Sequence, residues 1–145
     1  MADNKEIAHR FFDSAWNKGD MATIDALTAP DALDHSPMGT EKGSESFKHV
    51  VGGFRAAVPD VKLDILQEIV DGDKVVHQWR LTGNNTGEPF MGIPATNKPI
   101  EFNGITIVRL ADGKIAERWA QMDLLGLMTQ LGVVPPMGGP PPQQG

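Results

Sequence analysis

The stretch from Lys114 to Asp123, KIAERWAQMD, decides how this chain is read. It follows a turn signal, Ala111-Asp112-Gly113-Lys114, and alternates in character, which argues for a β-strand. It ends in an acid directly before an apolar helical run, LLGLMTQLG. With strict alternation, Ile115, Glu117, Trp119, Gln121 and Asp123 share one face, and Ala116, Arg118, Ala120 and Met122 share the other. A face that mixes tryptophan, glutamine and acids suits a cavity wall, apolar with a few placed polar groups. The alternative is a face in water with Trp119 covering an edge, and a bulge would change the parity before Asp123. Asp123 carries a matching ambiguity. It stands where an N-cap would stand for the next helix, and a carboxylate desolvated in an apolar pocket is a general acid or base.

The neighbouring segments extend the pattern. VKLDILQEIV and KVVHQWRLTG alternate and are joined by the hairpin signal Asp71-Gly72-Asp73; Val75, His77, Trp79 and Leu81 fall on one face of the second. IEFNGITIVRL is a long strand with Gly104 inside it, read as a bulge or sharp bend. NNTGEPFMGIPATNKP between them is loop, with a short strand near Phe90. The first half is helical. Ile7, Ala8, Phe11, Phe12, Ala15 and Trp16 recur at helical spacing, with Asp3 or Asn4 as cap and Gly19 as stop. A short second helix runs from an Asp20 cap to Pro30, and a third carries Phe47, Val50, Val51, Phe54 and Ala57 up to Pro59. DALDHSPMGTEKG between these last two reads as a loop from its Asp, Ser, Pro and Gly content.

Helices first and an antiparallel meander after is an α+β order. A strongly curved sheet with the three N-terminal helices on its concave face makes a cone that encloses a pocket. Residues 1–133 form this one domain; 134–145 are a Pro/Gly-rich tail that supplies no core and is expected to be flexible.

Composition narrows the function. The formal net charge is −6, which argues against nucleic-acid and anionic-membrane partners. With no cysteine there is no thiolate nucleophile and no Cys-ligated metal. The amino terminus has no signal-peptide core and no segment is a membrane span, so a cytoplasmic location is expected. Nucleophile-elbow, P-loop and dinucleotide motifs are missing, as is metal-site histidine spacing, and the chain has no tyrosine. Cofactor-free acid–base chemistry or ligand binding remains. Among the histidines, His9 and His49 read as structural or surface residues. His35 lies in the loop beside Asp34, and His77 lies mid-strand, as a core residue or a pocket donor.

The whole chain apart from the tail resembles the SnoaL-like polyketide cyclase (ester cyclase) family, of the nuclear transport factor 2-like superfamily. The matching stretches are Gly92 to Lys98, Arg109, Asp112 to Asp123 and the helix Leu124 to Gly132. Asp34-His35-Ser36-Pro37 and Pro59 to Val76 match as well. Asn97 stands where the family turn has glycine, and asparagine tolerates the same left-handed backbone. The resemblance implies a lyase- or isomerase-like enzyme in which Asp123 abstracts an acidic proton and permits intramolecular aldol closure on a hydrophobic carbonyl substrate. His35 or His77 takes the second proton-transfer role. Trp119, Asn103, Trp79, Phe90 and Gln121 line the site, Asn103 standing where several members have His. It further implies a homodimer or homotetramer. Epoxide hydrolysis, through an Asp-Arg-Asp arrangement, and non-catalytic small-molecule binding are the rival readings.

Overall fold

A computed structural model describes residues 3–135; of the expected tail, residues 136–145 lie outside the described residues. The first helix, α1 (Asn4–Phe12), starts at Asp3, whose carboxylate accepts from the Glu6 N–H at 2.8 Å. It continues as a π-helical segment, Asp13–Lys18, and stops at Gly19 in the left-handed conformation, φ 64°. The π segment aims Asn17 at the sheet, where its side-chain amide exchanges two hydrogen bonds with the Leu63 backbone, at 2.8 and 3.2 Å. Asp20 caps α2 (Met21–Leu27) through the Thr23 N–H. Then come β1 (Thr28–Ser36), β2 (Gly39–Lys42), α3 (Glu45–Ala57), β3 (Lys62–Asp71), β4 (Lys74–Asn84), β5 (Pro99–Ala111), β6 (Lys114–Met122) and α4 (Leu124–Gln130).

The strands make one six-stranded sheet in the order β2-β1-β6-β5-β4-β3. It is curved and does not close. The buried stripes of the helices pack on its inner face in one core that joins Phe11, Phe12, Phe47 and Phe54 to Leu63, Trp79, Phe102 and Val108. Two corrections to the sequence reading follow. The supposed loop from Asp31 to Gly43 is mostly the hairpin β1–β2, and β1 pairs parallel with β6, so the sheet is mixed. The prolines sit where the ladders are interrupted: Pro30 in the stretch between Thr28 and Leu33 where pairing with β6 shifts register, and Pro37 in the turn between Ser36 and Gly39.

The inner face is decided by irregularities in the strands. Pairing of β5 with β6 runs Leu110 to Ile115 and then Arg109 to Glu117, so Ala116 is an extra residue on β6. Ile115 is buried, and after the bulge the inward positions are Arg118, Ala120 and Met122. The same happens in β3, where Leu66 is skipped between Ile65 and Gln67, which brings Glu68 opposite the buried His77. Gly104 is no bulge: β5 stays in register with β4 through it. Its hydrogen leaves room for the Trp79 indole, since a Cβ there would lie 2.2 Å from Trp79 Cζ2.

His77 is a core residue. It is 1 % exposed, packs edge-on against Phe12, and its Nε2 meets a Glu68 carboxylate oxygen at 2.5 Å. Nδ1 has no partner among the described residues. Burial pushes its pKa below the ordinary 6.5, against the opposing pull of Glu68. The folded state therefore binds fewer protons here than the unfolded chain, and stability rises with pH across that window. We expect the urea midpoint to fall between about pH 7 and about pH 5.5, and the fall to be shallower in His77→Gln. Equal slopes in both proteins would place the acid sensitivity elsewhere.

Candidate functional site

Between the helices and the inner face lies a cavity of about 480 Å³, within the size range of small-molecule sites. Its wall is aromatic. Phe12 and Trp16 come from α1 and its π extension, Phe47 and Phe54 from α3, Trp79 from β4, Phe102 from β5 and Phe90 from the loop after β4. The rings interlock edge-to-face: Phe54 with Phe90 at 5.2 Å, Phe54 with Phe102 at 5.7 Å and Trp79 with Phe102 at 5.7 Å. The loop is pinned over the cavity by Gly87 and Glu88 N–H groups that donate to the Ala57 and Ala56 carbonyls at the end of α3. Asn97 in that loop takes the left-handed φ of 58° that its place in the turn requires. Exposed Met38, Val50 and Met91 mark the mouth, and the exposed His49 also lines it.

Few polar groups face this space. The Trp79 indole N–H donates to Thr106 Oγ1 at 2.9 Å and is thereby satisfied. The charged feature is an ion pair between inward residues of β1 and β6: Arg118 Nη1 donates to Asp34 Oδ1 at 2.7 Å, with the two side chains 8 % and 13 % exposed. Both residues line the cavity. The guanidinium lies 4.3 Å from the Phe47 ring centroid, in cation–π contact. Burial pulls Arg118 down from the ordinary arginine range and Asp34 opposes the shift; an arginine stays protonated all the same. Arg118 Nε is buried without an acceptor among the described residues, and Asp34 accepts there only through Oδ1.

The structure divides the residues that the sequence singled out. Trp79 and Phe90 line the cavity. Asp123 does not: it is exposed, and its carboxylate accepts from the Gly126 N–H at 2.8 Å as the cap of α4, while its neighbours Met122 and Leu124 face the cavity. Gln121 and Asn103 are exposed on the outer face of the sheet. Trp119 is on that face too, stacked at 5.6 Å on His35. His35 bonds Glu117 at 2.6 Å and Thr40 at 3.0 Å there, away from the cavity. His77 lies in the core behind the wall. The single cause for β6 is the bulge at Ala116, which exchanges the two faces that strict alternation assigns. The sequence reading missed Asp34 and Arg118 as site residues. Their signal was an Asp in the matched Asp34-His35-Ser36-Pro37 stretch and an Arg in the strand that carries Trp119.

Within the described residues no cluster of three metal-ligating side chains occurs, and no helix is long and apolar enough to cross a membrane.

Known proteins are similar to this chain in sequence and in fold. The family model described as SnoaL-like polyketide cyclase matches residues 6–131. Nogalonic acid methyl ester cyclase of Streptomyces nogalater is 28% identical over 122 residues, covering 82% of this chain and 90% of the relative. Aklanonic acid methyl ester cyclase DnrD of Streptomyces peucetius is 31% identical over 104 residues, 71% of this chain and 70% of the relative. Among solved structures, AclR of Streptomyces galilaeus, a candidate hydroxylase, superposes with a TM-score of 0.82 at 25% identity, covering 94% of this chain and 85% of that one.

As an exposed cap outside the cavity lining, Asp123 is expected to contribute stability and not ligand contact. Asp123→Ala is expected to lower unfolding free energy by about 1 kcal/mol, read from chemical denaturation, with the affinity for cavity ligands unchanged. A large loss of affinity would return Asp123 to the site.

Proposed function

The chain belongs to the SnoaL-like polyketide cyclase family, and from that premise we propose that its cone binds a hydrophobic carbonyl compound and closes a ring in it by acid–base chemistry at Asp34 and Arg118. The observation that supports this reading is the buried carboxylate–guanidinium pair in an otherwise aromatic cavity of about 480 Å³. Aldol closure needs a base beside an acidic C–H and a cation or donor at the oxygen that gains charge. Asp34 takes the proton from a carbon flanked by carbonyl groups. The enolate oxygen that results is held by the Arg118 guanidinium. The enolate carbon attacks a second carbonyl of the same molecule, a C–C bond forms, and the new alkoxide takes the proton back from Asp34. The aromatic wall excludes water and folds the chain of the substrate so that the two carbons meet.

Two rivals fare less well against the same cavity. The Asp-Arg-Asp arrangement of epoxide hydrolysis is incomplete among the described residues, because Asp34 is the only carboxylate lining the cavity and the position two beyond Arg118 on the inner face is Ala120. A pure binding protein would use the pair only as a polar anchor for its ligand, whereas a carboxylate beside a cationic donor is the arrangement that enolate chemistry requires. The test is turnover of the methyl esters that the two curated relatives cyclise. Loss of ring closure in Asp34→Asn by a factor of about 100 or more, with the ester still bound, supports the assignment. Closure that survives the substitution removes Asp34 as the base, and binding with no closure by the unaltered protein favours the non-catalytic reading.

The same reading extends to assembly. The outer sheet face exposes Leu33, Leu66, Ile69 and Ile105 across its width, with Trp119 on the same face, a surface that a second copy in a homodimer or homotetramer would cover. Sedimentation should give a multiple of the 15.7 kDa chain mass, and Ile105→Lys should shift it to the monomer; a monomer from the outset refutes this part.

A further inference from the structure

Asp34 and Arg118 do more than supply a base and a donor. We propose that the pair makes the cavity select neutral oxygen functions, such as esters, ketones and phenols, over carboxylates, and that Asp34 is the residue that sets this selection. The inference rests on the reading that the cavity is the ligand site.

The charges around the cavity carry the argument. Its lining holds one carboxylate, Asp34 on β1, one guanidinium, Arg118 on β6, and the rim residue His49 on α3, which is exposed to water. Without Asp34, a guanidinium over the Phe47 ring inside an aromatic pocket would be a carboxylate receptor, because its fork of N–H donors matches two carboxylate oxygens. With Asp34 at 2.7 Å, that charge is already balanced. An incoming carboxylate would meet a neutral pair and leave one uncompensated negative charge out of water. To take Arg118 for itself it would have to displace Asp34, and no second cation of the described lining reaches into the cavity to receive the displaced carboxylate. His35, next along β1, is engaged with Glu117 on the other face of the sheet.

A neutral oxygen meets no such obstacle. Arg118 Nη2 has no partner among the described residues and is not closed off as Nε is, so it is free to donate to a carbonyl acceptor. Asp34 Oδ2, unused among the described residues, accepts from a hydroxyl. The pair thus offers one donor and one acceptor side by side with no net charge. That matches a carbonyl with a neighbouring hydroxyl or enol, and it mismatches a free acid.

Binding alone tests this, with no need for turnover, so its failure and the failure of the ring-closure reading are separable. The probes are a hydroxynaphthoic acid, its methyl ester and its primary amide, titrated by calorimetry near neutral pH, where the acid is ionised. The unaltered protein should bind ester and amide at least about tenfold more tightly than the acid. The amide has the size of the carboxylate, so this contrast isolates charge and stands even if no variant folds. In Asp34→Asn, with folding checked by circular dichroism, the acid should become the tightest ligand. In the double variant Asp34→Asn with Arg118→Gln the order should flatten. Acid bound by the unaltered protein as tightly as the amide overturns the proposal. So does an unchanged acid-to-amide ratio in folded Asp34→Asn, or failure of the ester to bind up to its solubility.

Discussion

One extra residue in β6 governs the inside of this molecule. The bulge at Ala116 makes Ile115 and Arg118, three apart, share the inner face that regular alternation would deny them. Without it, Glu117, Trp119 and Gln121 would enter the cone and Arg118 would face water. A second bulge, at Leu66 in β3, performs the matching operation for Glu68. Each irregularity admits one charged side chain to the interior, and each charge meets a polar partner there: Arg118 meets Asp34, and Glu68 meets His77. An interior charge without such a partner is costly, so each bulge and its partner have to be considered as a unit.

This explains what could be read from the sequence. Helix stripes such as Phe47, Val51 and Phe54, the stops at Gly19 and Pro59, the turns at Asp71-Gly72-Asp73 and Asp112-Gly113, and the faces of β4 are all encoded within a few neighbouring residues. The α+β cone follows from them and from the resemblance. The hairpin β1–β2 was illegible because its prolines, Pro30 and Pro37, fall in an unpaired irregular stretch and in the turn, and leave the short paired segments looking like loop. The faces of β6 were illegible for a sharper reason. A single inserted residue leaves the alternation of KIAERWAQMD intact on either side and changes only its phase, which no local pattern records. Asp123 was legible as a cap, from its place before LLGLMTQLG, and that is the role its hydrogen bond to Gly126 shows.

Gly104 carries the same lesson at smaller scale. A glycine inside a long strand suggests a bend, yet β5 passes through it in register. The reason for glycine lies on the neighbouring strand, where the Trp79 indole fills the space above it and directs its N–H to Thr106. The aromatic wall therefore depends on a residue that has no side chain. A long-range packing demand of this kind enters the sequence as one letter with several meanings.

The buried pair gives the remaining argument. Replacing such a pair by well-packed apolar side chains is commonly neutral or stabilising by about 1–4 kcal/mol. Folding alone therefore gives no reason for Asp34 and Arg118 to occupy the inner face, and two strand irregularities, in β1 and β6, are needed to bring them together. Their effect is chemical. In a cavity lined mainly by aromatic and aliphatic side chains, a donor and an acceptor at one spot would fix how an oxygenated ligand lies, while leaving its apolar body free to fit by shape. The surrounding rings in turn strengthen the pair's field by keeping water from it. On the proposed reading, orientation and reactivity both come from one ion pair, and the aromatic wall supplies the grip and the low-polarity surroundings in which that pair would act.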